Sequence, residues 1–373
     1  MSPGRHHLES LDVFRGATIA AMILVNNPGD WNSVLPPLVH ADWNGLTAAD
    51  VVFPCFVFIM GCAMPFAFAR RDARESAPWS ASGRVVRRAA MLIGLGLVLN
   101  LVAALPHPSA LRVPGVLQRL GAAYLFAAVI VRSCGAGAQA GIAAALLAGH
   151  WAVMTLVPFG GHAVAPFTKA HNVAGFVDAA VFGSHTLMPG FDPEGLVGTV
   201  PTIATALIGA VAGQWLQRHD NRWQQIAGLA AGGAAMIAAG WLWSLAWPIN
   251  KALWTGSYAL VTSGLAAVML AGCIYAVDDR GWRRWARPFL WLGVNPLAIY
   301  FCSELTGHLI ERPLLPVALG GGALKDVLHW QIVAPLAGDS HGDWASLAFA
   351  VAFVLCWIEV AAVLYRRGIR IRV

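Results

Sequence analysis

Long apolar stretches separated by short polar connections run through the whole chain. A helix needs about 20 apolar residues to cross ~30 Å of hydrocarbon. The pattern predicts ten windows of this kind: Val13–Asn26, Ala49–Ala69, Ala89–Leu105, Val116–Val131, Ala138–Val157, Leu196–Leu216, Ile226–Trp247, Tyr258–Val277, Phe289–Ile310 and Trp344–Tyr365. We therefore expect an all-α, polytopic integral membrane protein with about ten transmembrane helices.

The composition supports the same interpretation. Of the 373 residues, 58% are hydrophobic and only 12% are charged, whereas soluble domains contain roughly 25% charged residues. The net charge of +6 is not concentrated in a basic arm with interleaved aromatics, so nucleic acid is not an expected partner and the lipid bilayer is. Because no separate soluble segment or linker is evident, we expect a single transmembrane domain over residues 1–373.

The placement of the basic residues predicts the topology. Most of the 25 lysines and arginines fall in alternate connections, and cytoplasmic loops carry such an excess. Both termini are therefore expected in the cytoplasm. The long connections Asn27–Ala48, Pro158–Gly195 and Glu311–Asp343 are then expected on the outer side. Within them, Val173–Phe182 and Val327–Leu336 are too short to cross and are predicted to be interfacial or re-entrant helices.

The first outer connection contains a histidine and an aspartate in a polar, turn-rich segment. His40 precedes Asp50 by ten positions, and Thr47 is placed to cap the second helix. Asp50 would then lie in the first helical turn, where the helix dipole stabilises a carboxylate. A capping role alone would also explain Asp50. Pro54 follows and is expected to bend the helix and free a backbone carbonyl.

Further polar residues lie at the predicted membrane edge or inside it, where ionisable groups are costly. Asn26 ends the first window, and Gln118 and Arg119 lie in the fourth. Helix capping by Asn26 and pairing of Arg119 with Glu304 are the structural alternatives.

Six other residues would line an outward-facing mouth suited to stacking on sugar rings. They are Trp43, Asn44, Asp192, Glu194, Asn250 and Lys251. No HxH, HExxH or CxxC spacing occurs in the chain, so no metal site is expected.

Several blocks of the sequence, in order along the chain, carry a family resemblance. They are Leu11–Gly16, Val25–Gly29, HADWNGLTAAD (His40–Asp50), VFPCFVFIMG (Val52–Gly61), Arg112–Leu120, FDPEGLVGT (Phe191–Thr199) and PINKALWTGSY (Pro248–Tyr258). Together they resemble the transmembrane acetyltransferases of the heparan-alpha-glucosaminide N-acetyltransferase family, including its bacterial NagX-like members.

The resemblance implies transfer of an acetyl group from cytoplasmic acetyl-CoA, as co-substrate, to the amine of a glucosamine-type sugar on the periplasmic side. The family's active-site histidine falls on His40, its asparagine on Asn26 and its acidic residue on Asp50. Independently of the resemblance, the phosphates of CoA would avoid hydrocarbon, and Gln118 and Arg119 would line the polar path of the donor. A multi-pass protein of the bacterial inner membrane, forming a homodimer, is expected on the same grounds.

The chemistry of these residue types agrees with that activity. A sugar ammonium must lose a proton before it attacks a thioester, and imidazole, with an ordinary pKa of ~6.5, can accept it near neutral pH. Asp50 would orient the imidazole, and an Asn26 amide would bind the oxyanion, a contact worth roughly 3–4 kcal/mol. Direct transfer and an acetyl-histidine intermediate both remain open. So do a polysaccharide O-acyltransferase, with an alcohol in place of the amine, and an amino-sugar transporter.

Overall fold

The computed structural model describes residues 8–72, 78–105, 111–158, 168–169, 171–312, 323–338 and 342–371. Throughout these ranges the regular structure is helical, with one isolated β-bridge between Met188 and Phe191. In chain order the α-helices are α1 (Glu9–Asn26), α2 (Ala48–Asp72), α3 (Pro78–Ala104), α4 (Val116–Ser133), α5 (Ala136–Leu156), α6 (Val173–Phe182), α7 (Leu196–Arg218), α8 (Arg222–Ser244), α9 (Gly256–Cys273), α10 (Arg287–Val294), α11 (Pro296–Ile310), α12 (Leu324–Asp326), α13 (Ala334–Ala337) and α14 (Asp343–Arg366). Two π-helical segments, Ile274–Asp279 and Val327–Val333, follow α9 and α12.

Within the described ranges, eight helices are long and apolar enough to cross a membrane. They are α2, α3, α4, α5, α7, α8, α9 with its π-helical extension, and α14. The prediction of an all-α, polytopic membrane protein is confirmed. The location of the termini stays a prediction, and residues 1–7 lie outside the described ranges.

The first and ninth predicted windows differ from the other eight. The first lies in α1, an 18-residue helix that also contains Glu9, Asp12 and Arg15. The ninth is divided between α10 and α11 at Asn295 and Pro296. A proline lacks the amide hydrogen that a continuing helix needs, and it restricts the preceding residue. One helix therefore ends at Val294 and the next begins at Pro296. Between them, the Asn295 side chain donates to the Ile369 carbonyl at 2.9 Å.

The chain divides into two compact units. The first unit contains residues 1–39, 221–229 and 268–372, and the second contains residues 40–220 and 230–267. The helices α8 and α9 each run from one unit into the other. The expectation of a single domain stays a prediction.

In the second unit, α2 and α7 approach each other closely through glycines. A Cβ at Gly61, Gly209 or Gly213 would collide with main-chain atoms of the opposite helix. Small residues allow such backbone contact in membranes, where lipid is as apolar as the side chains and packing must hold helices together. Within their membrane-crossing windows, 67% of α2 and 61% of α7 are buried, against 28% of α5. The first turns of α2 and α7 are therefore fixed in position by a tightly packed pair.

In the first unit, α1 packs in the same way against α10. Gly16 lies against the Phe289 carbonyl and Gly293 against the Asp12 carbonyl, so neither has room for a Cβ. The Asn27 side chain caps the end of α1 by donating to the Ile23 carbonyl at 2.9 Å.

Both predicted short helices are present. The first is α6, with the predicted bounds, and its N-cap Asn172 accepts from the Gly175 amide at 2.8 Å. The second prediction, Val327–Leu336, coincides with the π-helical segment Val327–Val333 and most of α13. The connections around them, Pro158–Gly195 and Glu311–Asp343, fall partly outside the described residues.

Candidate functional site

The carboxylate of Asp50 is fully buried in the first turn of α2. It accepts four hydrogen bonds, from the Thr47 amide at 3.0 Å, the Thr47 hydroxyl at 3.0 Å, the Ala41 amide at 3.2 Å and the His40 ring at 2.9 Å. A buried charge is tolerated when donors surround it in this way. The expected place of Asp50 in the first turn is confirmed, and Thr47 acts as a donor to its carboxylate.

His40 contacts Asp50 through Nδ1, and its side chain is 47% exposed. Since a carboxylate oxygen only accepts, Nδ1 carries the proton in this contact, and the lone pair lies on Nε2. Asp50 therefore fixes both the tautomer and the orientation of the ring. An imidazole held in this way presents a basic nitrogen away from its carboxylate partner.

The third member of this group is Lys251. Its Nζ lies 3.0 Å from Nδ1 and 3.0 Å from Nε2 of His40, and 3.7 Å from Oδ1 of Asp50. Burial lowers the pKa of the Lys251 ammonium below its ordinary value, and the charges of Glu194 and Asp50 oppose this shift. We call His40, Asp50 and Lys251 the histidine cluster.

Two loops hold the histidine cluster together. The Asn250 side chain donates to the Asn44 side chain at 3.1 Å, and the Gly45 amide donates to the Ile249 carbonyl at 2.8 Å. The Asn250 side chain also accepts from the Leu253 amide at 2.8 Å. These bonds align the loop before α2 with the loop before α9, so that Lys251 faces His40.

The backbone carbonyl of Asp50 loses one hydrogen bond to a proline and gains another from a tyrosine. Pro54 lies within α2 and has no amide hydrogen, so the Asp50 carbonyl loses its helical partner. The Tyr258 hydroxyl of α9 donates to this carbonyl at 2.7 Å. The expectation that Pro54 frees a carbonyl is confirmed, and the freed group is that of the aspartate in the histidine cluster.

A second charged group lies in the same unit, and we call it the arginine cluster: Arg112, Asp178, Asp192 and Glu194. Arg112 Nε donates to Asp192 at 2.7 Å, and its Nη2 contacts both Asp192 and Glu194. Asp192 also accepts from the amides of Leu187 and Glu194, both at 2.9 Å. Every oxygen of Asp192 is thus used inside the protein.

Charge pairing governs the pKa values in the arginine cluster. Burial alone would lower the pKa of Arg112, but the carboxylates of Glu194 and Asp192 raise it above its ordinary value. Burial alone would raise the pKa of Glu194, but Arg112, Arg119 and Lys251 hold it below its ordinary value. Both groups therefore stay charged at neutral pH.

Asp178 behaves in the opposite way. Burial raises the pKa of its carboxyl to about 6, although the amides of Leu196 and Asp192 donate to it at 3.1 and 3.2 Å. Its carboxylate also occupies the space where a side chain at position 195 would lie, so Gly195 is required there. Asp178 fastens α6 to the first turn of α7.

Arg119 is 2% exposed in α4, and its Nη2 donates to the Gly195 carbonyl at 3.0 Å. The guanidinium also lies over the Trp254 ring, 5.4 Å from its centroid. Arg119 Nε and both ring nitrogens of the buried His150 have no hydrogen-bond partner among the described residues. Of the two residues predicted to line the path of acetyl-CoA, Gln118 and Arg119, it is Arg119 that has a hydrogen-bond donor atom without a partner among the described residues.

The other predicted residues have partners of several kinds. Gln118 donates to the Val113 carbonyl at 3.1 Å, while its Oε1 is buried without a partner among the described residues. Trp43 packs edge-on against Phe191 at 5.7 Å between centroids. Asn44 and Asn250 bond to each other.

Asn26 lies in the first unit, where its Nδ2 donates to Glu304 at 3.0 Å. Asn27, not Asn26, is the C-cap of α1. A pair between Arg119 and Glu304 was the structural alternative. In the structure Glu304 accepts from Asn26 within the first unit, and Arg119 donates to the Gly195 carbonyl within the second. The roles of Asn26, Gln118 and Arg119 in acetyl transfer, and of the six mouth residues in sugar binding, stay predictions.

Sequence reasoning did not single out the roles of Arg112, Asp178, Tyr258 and His150. Arg112 and Asp178 gave one signal, because each is an isolated charge in a predicted outer connection that is otherwise rich in apolar residues. Tyr258 and His150 gave none, since each lies within or next to an apolar window.

The chain as a whole is similar to one family of known proteins. A family model described as heparan-alpha-glucosaminide N-acetyltransferase, catalytic, matches residues 7–245. The heparan-alpha-glucosaminide N-acetyltransferase of Homo sapiens is 27% identical over 425 aligned positions, which cover 97% of this chain and 59% of the human protein. The Mus musculus protein of the same name is 26% identical, with 97% and 60% covered. The chain thus spans about three fifths of the length of these relatives.

Proposed function

The chain belongs to the heparan-alpha-glucosaminide N-acetyltransferase catalytic family, and from this premise we propose that it is an acetyl-CoA-dependent N-acetyltransferase. The acceptor is the amine of a glucosamine-type sugar, and His40 is the base that takes the amine proton. The observation that carries the proposal is the 2.9 Å contact between His40 Nδ1 and the buried Asp50 carboxylate.

The chemistry follows from that contact. With Nδ1 protonated by its bond to Asp50, Nε2 accepts a proton from the sugar ammonium. The free amine attacks the thioester carbonyl, a C–N bond forms, the C–S bond breaks, and CoA leaves as the thiol after taking a proton. Asp50 stabilises the imidazolium that exists in between.

An acetyl-histidine route uses the same geometry. In that route Nε2 attacks the thioester itself, and the amine then takes the acetyl group from the ring. In both routes Asp50 holds Nδ1. In direct transfer the sugar amine reaches the ring, and in the acetyl-histidine route the thioester carbonyl does. The two routes differ in whether thiol is released before the sugar binds.

The remaining roles follow the family. Acetyl-CoA is proposed to enter from the cytoplasm, with Gln118 and the free Nε of Arg119 along its path, because phosphates avoid hydrocarbon. Asn26 is proposed to bind the oxyanion. The mouth residues around His40, above all Trp43 and Asn44, are proposed to contact the sugar. We place the protein in the bacterial inner membrane, with the acceptor on the periplasmic side, as a homodimer.

Purified full-length protein in detergent, given acetyl-CoA and glucosamine, tests the proposal. N-acetylglucosamine formed together with free CoA thiol is the expected product. Acetyl ester on an added polysaccharide, with no acetylated amine, would replace the proposal by O-acyl transfer. Uptake of glucosamine into proteoliposomes without consumption of acetyl-CoA would replace it by transport.

A further inference from the structure

An amine already lies against the candidate base. Lys251 Nζ is 3.0 Å from both Nδ1 and Nε2 of His40, and Nε2 is the nitrogen that takes the proton in the proposed reaction. The Asn250–Asn44 bond fixes the loop that carries the lysine. A primary amine thus lies within hydrogen-bond distance of the imidazole, the same distance at which the sugar amine must give up its proton.

The surroundings of Lys251 also make its ammonium easier to deprotonate than that of a solvated lysine. Its side chain is 20% exposed, and burial lowers the pKa of the ammonium below its ordinary value. The opposing carboxylate of Asp50 lies 3.7 Å away, beyond close hydrogen-bond distance. A desolvated lysine beside a base is the arrangement that makes a lysine reactive.

The other two lysines of the chain differ from Lys251 in these respects. Lys169 is 47% exposed and pairs with the exposed Asp42 at 2.9 Å. Lys325 pairs with Glu311 at 2.7 Å and lies over the Trp31 ring. Among the three, and within the described residues, Lys251 is the one with a hydrogen-bond contact to a histidine.

We infer that Lys251 is an internal acetyl acceptor, so that the protein acetylates its own lysine when no sugar amine is bound. The inference rests on the proposed function, because the acetyl thioester is the donor. Lys251 Nζ loses one proton to His40 Nε2 and attacks the thioester carbonyl. A C–N bond forms, the C–S bond breaks, and the second amine proton leaves with the thiol. One acetyl-CoA and one lysine ammonium thus give acetyl-lysine, CoA thiol and one proton.

Acetylation would remove the positive charge of Lys251 and its ion pair with Asp50. A neutral amide beside Nε2 also fills the place of the incoming amine. Self-acetylation is therefore expected to slow transfer to sugar, and bound sugar amine to protect Lys251.

Mass spectrometry of peptides from the full-length protein in detergent tests the inference, because detergent gives acetyl-CoA access from both sides. Wild-type protein is incubated with acetyl-CoA alone, and a parallel sample also receives excess glucosamine. The three lysines serve as internal controls. Acetylation is expected at Lys251 at least ~10-fold above the more exposed Lys169, and glucosamine is expected to suppress it.

The His40→Ala and His40→Gln variants separate assisted transfer from simple chemical reactivity. Acetylation at Lys251 is expected to slow by at least ~100-fold in both, as for loss of a general base, while background acetylation of Lys169 is unchanged. Thermal unfolding of each variant reports whether the native fold is kept. Equal modification of Lys251 with and without His40, or preferential modification of Lys169, overturns the inference.

The two proposals fail in distinguishable ways. Formation of N-acetylglucosamine with unmodified Lys251 overturns the self-acetylation alone. Absence of both products overturns both proposals. Modified Lys251 without a sugar product supports self-acetylation and rejects glucosamine as the acceptor. In the Lys251→Arg variant, which retains the charge, acetylation of this peptide is expected to be absent.

Discussion

The histidine cluster and the arginine cluster lie in the same unit and contain similar residues, but their hydrogen bonding differs. In the arginine cluster, Asp192 is 1% exposed and accepts from Arg112 and from two main-chain amides. In the histidine cluster, Asp50 is equally buried, but its partner His40 is 47% exposed and keeps Nε2 directed away from the carboxylate.

The difference separates a structural network from a reactive one. A fully satisfied buried network stabilises a fold and has no atom left for a ligand. A histidine that has one nitrogen held by a carboxylate and that is 47% exposed can exchange protons with a substrate. The comparison therefore predicts that substitutions in the histidine cluster affect turnover and that those in the arginine cluster affect stability.

The largest expected effect is on turnover in His40→Ala. Loss of the base should lower sugar acetylation by about 10²–10⁴-fold. Asp50 keeps three of its four donors, so the free energy of unfolding should fall by only about 1 kcal/mol. Acetyl-transfer assays and thermal unfolding in detergent measure the two quantities. The control is His219→Ala, which changes the histidine at the C-terminal end of α7. Near-normal turnover of His40→Ala would contradict the assignment of His40 as the base.

The next effect is on stability in Arg112→Ala. Removing Arg112 leaves Asp192 and Glu194 without the cation that contacts both of them, and breaking a buried pair costs about 3–5 kcal/mol. Turnover per folded molecule should change far less than in His40→Ala. Denaturant unfolding, with activity normalised to the folded fraction, is the measurement. Lost activity at unchanged stability would place the arginine cluster in the reaction instead.

The pH dependence of stability sharpens the same contrast through Asp178. Its pKa is raised from 3.8 to about 6, so the folded protein binds this proton more tightly than the unfolded chain. Its contribution is full below the unfolded pKa and is lost as the pH rises through about 6, a total of ~3 kcal/mol. The stability advantage of wild type over Asp178→Asn should therefore shrink between about pH 4 and about pH 7. A constant difference would refute the raised pKa.

The smallest effect is expected for Asp50→Asn. An amide can offer its NH₂ to His40 Nδ1 and so favour the other tautomer, in which Nε2 carries the proton. A neutral hydrogen bond of this kind favours that tautomer by about 1.4 kcal/mol, so roughly one ring in ten keeps Nε2 free to accept a proton. Turnover should therefore fall by about tenfold, less than in His40→Ala. The pH profile of turnover should shift as well, whereas a purely structural role of Asp50 would reduce the yield of folded protein and leave the profile unchanged.

Much of the fold follows from the sequence, because the length of an apolar run determines a membrane-crossing helix directly. The bounds of α6 and the place of Asp50 in α2 were predictable for a similar reason, since both depend on nearby residues. The break between α10 and α11 was missed, although Pro296 was visible, because the apolar run continued past it.

Contacts between distant segments were not predictable in the same way. Arg112 and Asp192 are 80 positions apart, and His40 and Lys251 are 211 apart. Periodicity shows which face of a helix is apolar, but not which helix ends meet. Asp192 and Glu194 were therefore expected at an open mouth, whereas the structure gives both of them Arg112 as an internal partner.

One feature of α2 links the backbone of one helix to a side chain of another. The Asp50 carbonyl, which has no helical partner because of Pro54, accepts a hydrogen bond from the Tyr258 hydroxyl, 208 positions later in the chain. If residue 54 had an amide hydrogen, it would bond to the Asp50 carbonyl and the Tyr258 hydroxyl would not be needed. If Tyr258 lacked its hydroxyl, Pro54 would leave the buried Asp50 carbonyl without a hydrogen bond. The value of each side chain thus depends on the presence of the other, so the two positions are epistatic. The hydrogen bond that α2 lacks at Pro54 is thus replaced by one between α2 and α9. This bond holds the backbone of Asp50 against α9 and therefore close to the loop that carries Lys251.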